Sequence, residues 1–154
     1  IRALSFGTTS IFYKYMIDSE KEIIASNYRV NASQLENILE VIVSFRNIVA
    51  HGERTYCAKL PRTRLSTNLN ISKKLSIPLN EKGEYKYGRN DLLSLIIGCK
   101  YLLPDIEFIN FITELDLNLQ ALAKQLTPYM LNRIKIQMGL WADNWKTLPK
   151  FKID

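Results

Sequence analysis

Residues 33–52 decide the fold, and they read SQLENILEVIVSFRNIVAHG. Ser33, followed three residues later by Glu36, predicts a capping box at the start of a helix. Gly52 is a natural stop at its end. Apolar residues recur between them at steps of three and four, which traces one buried stripe on an α-helix: Leu35, Ile38, Leu39, Ile42, Phe45 and Val49. The stretch therefore predicts a long amphipathic helix, the second of the chain.

Four further helices follow from the same kind of pattern. Asn90 or Asp91 is the predicted cap of the third helix, and Pro104 separates it from the fourth. Near the end of the chain, Trp141 and Trp145 are expected to pack against the helices. The predicted ranges are Leu4–Ile17, Asp91–Leu103, Asp105–Leu126 and Pro128–Met138, and the face expected to be buried in the fourth helix comprises Ile106, Ile109, Ile112, Leu115, Leu119, Leu122 and Leu126. We expect an all-α antiparallel bundle in which residues 1–154 form one domain.

The segment from Gly52 to Asn90 interrupts this helical pattern and carries the net charge. It holds nine basic and three acidic residues, a balance of +6 that equals the excess of the whole chain. Pro61, Pro78, Gly83 and Gly88 favour a long loop, with a short hairpin predicted for residues 75–79 against 84–87. A cationic patch of this kind is typical of contact with a polyanion. A solvated, solubilising loop is the alternative.

Composition limits the remaining possibilities. The 154 residues are 47% hydrophobic and 23% charged, which is typical of a globular domain with a core. No apolar run reaches the roughly 18–20 residues of a membrane span, so we expect a soluble, cytoplasmic protein. Because the sequence opens at Ile1 rather than Met, we expect a processed chain or the C-terminal part of a longer one. One histidine and two separated cysteines are too few for a structural zinc site, so no metal and no cofactor is expected.

The end of the second helix is the stretch that could carry chemistry. Asn47 and His51 lie one turn apart on one face, and the long side chain of Arg46 lies about 140° round from His51. An imidazole takes and gives protons near neutral pH, and a guanidinium binds phosphate oxygens through a planar fork of donors. These groups suffice for cleavage of RNA by its own 2′-hydroxyl. The alternative is a lone histidine that only completes a helix end.

A family resemblance strengthens the catalytic interpretation. Arg46-Asn47-Ile48-Val49-Ala50-His51 resembles the motif of the HEPN superfamily, in which four to six residues separate an arginine from a histidine. The flanking residues are similar to the Abi-like (abortive infection) proteins of bacteria. The matching residues are Ser5-Phe6-Gly7-Thr8 with Ser10 and Tyr13, then Arg54 and Tyr56 after the motif, and Gly139 and Asn144-Trp145 near the end.

The resemblance implies a HEPN-like helical fold that dimerises, so that two motifs face each other across a cleft and each Arg46 serves the other subunit's His51. It implies a metal-independent ribonuclease acting in phage defence or as a toxin, with Arg46, Asn47 and His51 as catalytic residues. His51 would be the general acid and base, Arg46 the phosphate ligand and Asn47 the orienting residue. We expect RNA and a second copy as partners, leave a separate antitoxin open, and expect no membrane. The expected RNA-binding residues are Arg54, Tyr56, Lys59, Arg62, Arg64, Lys73 and Lys74, with Tyr85 and Tyr87 as further stacking candidates.

Two other hypotheses stay open at this stage. The first is a helical module that binds RNA or a partner protein through the same basic segment without chemistry. It predicts salt-sensitive RNA affinity that survives removal of the histidine. The second is an inert interaction fragment, which would bind RNA no better than any protein of net charge +6.

Overall fold

The computed structural model describes residues 5–153, and in this range the chain is helical. The all-α prediction is therefore confirmed. The α-helices are α1 Phe6–Lys14, α2 Asp18–Ser26, α3 Ala32–Ala50, α4 Asn70–Lys74, α5 Leu92–Leu102, α6 Asp105–Ala123 and α7 Pro128–Gln137, and 3₁₀ turns cover Thr55–Cys57 and Asp143–Lys150.

Helix α3 lies at the centre, in contact with α1, α2 and α5. Its core positions are Leu35, Ile38, Val41 and Phe45, all nearly inaccessible to solvent. Val49, predicted on the buried stripe, is instead 60% exposed. The buried stripe of α3 therefore ends at Phe45, and Val49 on the last turn faces away from the core.

The start of α3 corrects the predicted capping box. Asn31, not Ser33, is the N-cap, and its side chain accepts from the backbone N–H of Gln34, whose side chain in turn accepts from the Asn31 N–H. Asn is as good a cap as Ser, and Gln can replace Glu in the box. The Asn31–Gln34 pair is favoured over the predicted Ser33–Glu36 pair because it makes the helix two residues longer.

The N-terminal region holds two helices where one was predicted. The predicted start at Leu4 lies outside the described residues. Helix α1 ends at Lys14, and α2 follows after Ile17. The prediction missed α2 because only Ala25 of its nine residues is buried, so it shows no apolar stripe. Tyr13, Ala25 and Leu35 form a small core of their own between α1, α2 and α3.

The basic segment is not a solvated excursion, because its aliphatic side chains belong to the main core. These buried residues are Leu60, Leu65, Leu69, Ile71, Leu75 and Ile77. The segment runs back along α3: the Asn37 side chain bonds the Arg64 carbonyl and the Ser66 N–H, and Gln34 reaches the Asn68 carbonyl. Most of its charged side chains point outward, whereas these six aliphatic side chains point inward. Apolar spacing does not predict this burial, because the apolar steps of the segment follow neither a helix nor a strand.

The predicted hairpin is reduced to a single bridge. Leu79 and Tyr85 pair in antiparallel fashion around the turn at residues 80–83. Asn80 closes this turn, because its side chain accepts from the N–H groups of Lys82 and Glu84. The turn prediction is correct, whereas the two paired strands are absent from the described residues.

The C-terminal helices largely follow the prediction. Asp91 caps α5 through the Ser94 N–H, Thr127 caps α7, and the left-handed Gly139 follows α7. Helix α6 ends at Ala123 rather than Leu126. Its buried residues are Phe108, Ile112 and Leu119, so the predicted burial of Ile106 and Ile109 is wrong: both are exposed. Trp145 is fully buried, as expected.

Asp91 joins four parts of the fold although it carries a charge and is fully buried. Besides capping α5, its carboxylate accepts from the Lys59 ammonium at 3.2 Å and from the Gly88 N–H at 2.9 Å. Gly139 lies so close that a Cβ there would be 2.8 Å from the Asp91 carboxyl carbon. Both ends of the basic segment are thereby fixed to α5 and to the turn after α7.

Among residues 5–153, none of the helices combines the length and hydrophobicity that crossing a bilayer requires.

Candidate functional site

The last two turns of α3 carry three exposed polar side chains, those of Arg46, Asn47 and His51. The Arg46 Nη1 atom donates to Asn47 Oδ1 at 3.2 Å. Asn47 and His51 are one helical turn apart, and the His51 N–H donates to the Asn47 carbonyl at 3.0 Å. The structure thus brings the guanidinium and the amide together, and places the imidazole on the next turn of the same helix.

His51 is the C-cap of α3, and its imidazole is open to solvent. The helix end is completed by backbone bonds alone, from Gly52 N–H to the Val49 carbonyl and from Glu53 N–H to the Ile48 carbonyl. Gly52 has φ +71°, the left-handed conformation that glycine adopts without strain. Within residues 5–153, no hydrogen bond or ion pair engages the imidazole. Its side chain is therefore not needed to complete the helix end.

The segment after His51 places two more predicted residues beside this helix end. The 3₁₀ turn Thr55–Cys57 contacts α3, α5 and α7, so its path is fixed by packing. Arg54 is its N-cap, and Tyr56 within it is 39% exposed. An exposed guanidinium and an exposed aromatic ring therefore flank the end of α3.

The other predicted RNA-binding residues do not form one patch. Lys59 donates to the buried Asp91 and so has a structural partner. Arg62 and Arg64 are exposed, and the Asn37 side chain on α3 donates a hydrogen bond to the Arg64 carbonyl. Lys73 and Lys74 are exposed on α4, where Lys74 donates to the Lys152 carbonyl. The basic residues follow α3 from its C-terminal to its N-terminal end, over roughly 28 Å for a helix of this length.

The stacking candidates differ in their surroundings. Tyr85 and Tyr87 are half-buried against the main core. Tyr87 stacks on Trp141, with ring centroids 5.0 Å apart and planes inclined by 9°. One face of Tyr87 is therefore already covered, which leaves Tyr56 as the more accessible ring.

The sequence interpretation missed Asp91 as more than a helix cap. An aspartate before an apolar run was a sufficient signal for the cap, but nothing in the sequence indicated its bonds to Lys59 and Gly88. Cys57 and Cys99 are both free, and burial raises the pKa of the Cys99 thiol to about 11. Within the described range, no group of three or more His, Cys, Asp or Glu side chains is placed to hold a metal ion.

The N-terminal part of the chain is similar to a known protein family. Residues 1–57 match the family model described as Abi-like protein. The matched range contains α1, α2, α3 and the whole Arg46–His51 motif. No curated protein and no solved structure matches the chain significantly.

Proposed function

We propose that the chain is a metal-independent endoribonuclease acting in phage defence or as a toxin, because residues 1–57 match the Abi-like protein family model, which supports an abortive-infection type of function. One observation carries the proposal. Arg46, Asn47 and His51 are all exposed at one helix end, and the imidazole has no structural partner among residues 5–153. A histidine free of structural bonds is available for proton transfer.

The proposed reaction is an internal transfer of the phosphodiester. The His51 imidazole takes the proton of the 2′-hydroxyl, whose oxygen forms a bond to phosphorus. The bond from phosphorus to the 5′-oxygen breaks, and that oxygen leaves with a proton from an imidazolium. The products are a 2′,3′-cyclic phosphate and a 5′-hydroxyl, so atoms and charge balance.

Arg46 would stabilise the charge that builds up on the phosphorane oxygens. Fixed donors aimed at such charge are typically the largest single contribution to catalysis. The bond to Asn47 Oδ1 restricts the guanidinium, which lowers the entropy lost when phosphate binds. Asn47 would thus act as a positioning residue for Arg46.

A dimer would bring each Arg46 to the partner's His51, and it would supply two imidazoles, one as base and one as acid. Val49 lies between Arg46 and His51 in the sequence, and its side chain is 60% exposed on the last turn of α3. Burial of such an apolar side chain against a second copy would favour association through this end of the helix.

RNA would extend from this site along the basic segment. The exposed Arg54, Arg62, Arg64, Lys73 and Lys74 follow α3, and a row of cations suits an extended polyanion better than a small ligand. The same row also favours the second candidate, a module that binds RNA without cleaving it. The two candidate functions differ only in whether Arg46, Asn47 and His51 at the end of α3 cleave the bound RNA.

Cleavage of a labelled, structured RNA in EDTA tests the proposal. We expect 2′,3′-cyclic phosphate ends from the unmutated chain, and a loss of at least about 100-fold in rate for His51→Ala and for Arg46→Ala. Both side chains are exposed, so the melting temperature should stay nearly constant. Arg133→Ala, which removes an exposed arginine on α7, is the matched control.

Equal cleavage by His51→Ala would overturn the assignment of this site. RNA binding without cleavage, unchanged in His51→Ala and weakened by salt, would establish the binding module instead.

A further inference from the structure

A second polar cleft lies near the opposite end of α3. Its volume is about 580 Å³, and three stretches far apart in sequence form it: residues 27–29 after α2, residues 100–105 at the end of α5 and the start of α6, and residues 149–153 of the tail. We call it the tail cleft. Arg29 and Lys152 continue from it into a smaller cleft that reaches Gln34 on the first turn of α3. Gln34 and His51 are about 25 Å apart along the helix, so the tail cleft is separate from the Arg46–His51 site.

The tail cleft concentrates positive charge. Its lining includes Arg29, Lys100, Lys150 and Lys152 but one acidic residue, Asp105. Lys100 is 4% exposed and its ammonium donates to Asp105 at 2.9 Å, so this pair is largely satisfied internally. Three further cations line the cleft with exposed side chains, those of Arg29, Lys150 and Lys152. In the described part of the chain, no acidic side chain pairs with Lys150 or Lys152.

The pKa of the Asp105 carboxyl group responds to two cations of the cleft, Lys100 and Arg29. The hydrogen bond from Lys100 lowers the pKa of its carboxyl group, and the charges of Lys100 and Arg29 lower it further. The carboxylate therefore stays ionised well below neutral pH, and the surrounding cations still outnumber it. A cleft with this excess attracts an anion from solution.

Arg29 occupies a backbone position where glycine is usual. Its φ is +56°, and it follows α2 with bonds from the Arg29 N–H to the Ser26 carbonyl and from the Val30 N–H to the Ala25 carbonyl. These bonds form the helix-ending motif that favours glycine at this place. A side chain there costs about 1 kcal/mol. In this structure the side chain extends to the tail, where its guanidinium donates to the Ile153 carbonyl.

We propose that the tail cleft binds a phosphomonoester of nucleotide size. A dianionic phosphate suits the three exposed cations Arg29, Lys150 and Lys152, and arginine binds its oxygens through two parallel donors. The volume is within the usual range of small-ligand sites. Tyr28 and Phe151, which also line the cleft, offer aromatic surface for a base. This proposal does not depend on ribonuclease activity.

Titration calorimetry of the full chain with AMP and with adenosine, at fixed ionic strength, tests the phosphate requirement. We expect AMP to bind at least tenfold more tightly than adenosine. Equal affinities would overturn the proposal, and so would equal affinity for sulfate and AMP, which would show a site for any anion. RNA oligonucleotides with a 5′-phosphate or a 5′-hydroxyl distinguish a free nucleotide from an RNA end as the source of the phosphomonoester.

Two variants locate the binding. The double change Lys150→Gln with Lys152→Gln should weaken AMP binding at least tenfold, whereas Lys124→Gln, outside the cleft at the end of α6, should leave it unchanged. Arg29→Gly should weaken AMP binding because it removes the guanidinium. The chain should stay folded by circular dichroism, because glycine adopts the positive φ without strain. Undiminished AMP affinity in both the double variant and Arg29→Gly would overturn the assignment of the cleft. These affinities are measured with AMP and without any RNA cleavage, which separates this result from the ribonuclease test.

Discussion

At the scale of single residues, Gly139 and Asp91 show how closely the turn after α7 packs. A Cβ on Gly139 would lie 2.8 Å from the buried Asp91 carboxyl carbon, and the backbone there has φ +81°. We therefore expect Gly139→Ala to lower the free energy of unfolding by about 3 kcal/mol, from backbone strain and overpacking together. Urea denaturation of the purified chain measures this.

Gly83→Ala separates these two causes. Gly83 also has a positive φ, of +74°, but nothing lies within 4 Å of the added Cβ. Gly83→Ala should therefore lower the free energy of unfolding by about 1 kcal/mol, from backbone strain alone. Equal losses for the two alanine variants would mean that contact with Asp91 contributes nothing. The sequence predicts a turn around Gly83 and a helix end before Gly139, but it gives no sign that only Gly139 lies against a buried carboxylate.

At the scale of elements, α3 has two different ends. Phe45 is 1% exposed in the main core, whereas Val49, one turn later, is 60% exposed. Phe45→Ala should cost about 3–5 kcal/mol in the free energy of unfolding, because it leaves a cavity. Val49→Ala should change it by less than about 0.5 kcal/mol. Thermal and urea unfolding of the two variants provide the check, and a large loss for Val49→Ala would contradict the exposed position.

How much of each element could be predicted depends on where its contacts come from. The body of α3 and the cap of α5 follow from local patterns, since apolar spacing and an aspartate side chain act within a few residues. Helix α2 does not, because most of it is exposed and only Ala25 is fully buried, with Ile24 packed partly against the same small core. The burial of Leu65 and Leu69 likewise depends on packing against distant helices. At the candidate site, the sequence predicts which residues share the end of α3, but not that Lys59 is bound to Asp91.

At the scale of the whole molecule, the proposed shared site requires a dimer. We expect light scattering at tens of micromolar to give twice the mass of one chain. Val49→Asp should shift the protein towards the monomer, because it places a charge on the exposed apolar position at the end of α3. Leu117→Asp is the matched control, since Leu117 is similarly exposed but lies on α6. A monomeric unmutated chain would contradict the shared site.

The basic segment also has an evolutionary consequence. Its aliphatic residues fill the core from Leu60 to Ile77, and Asp91 fixes both of its ends. Deleting or inserting even one residue between these anchors would shift side chains between interior and solvent. Exchanging one outward-pointing charge for another would disturb nothing beneath it. Homologues should therefore diverge in this segment by substitution at nearly constant length, so that a new binding preference can arise by drift of surface charge without rebuilding the fold.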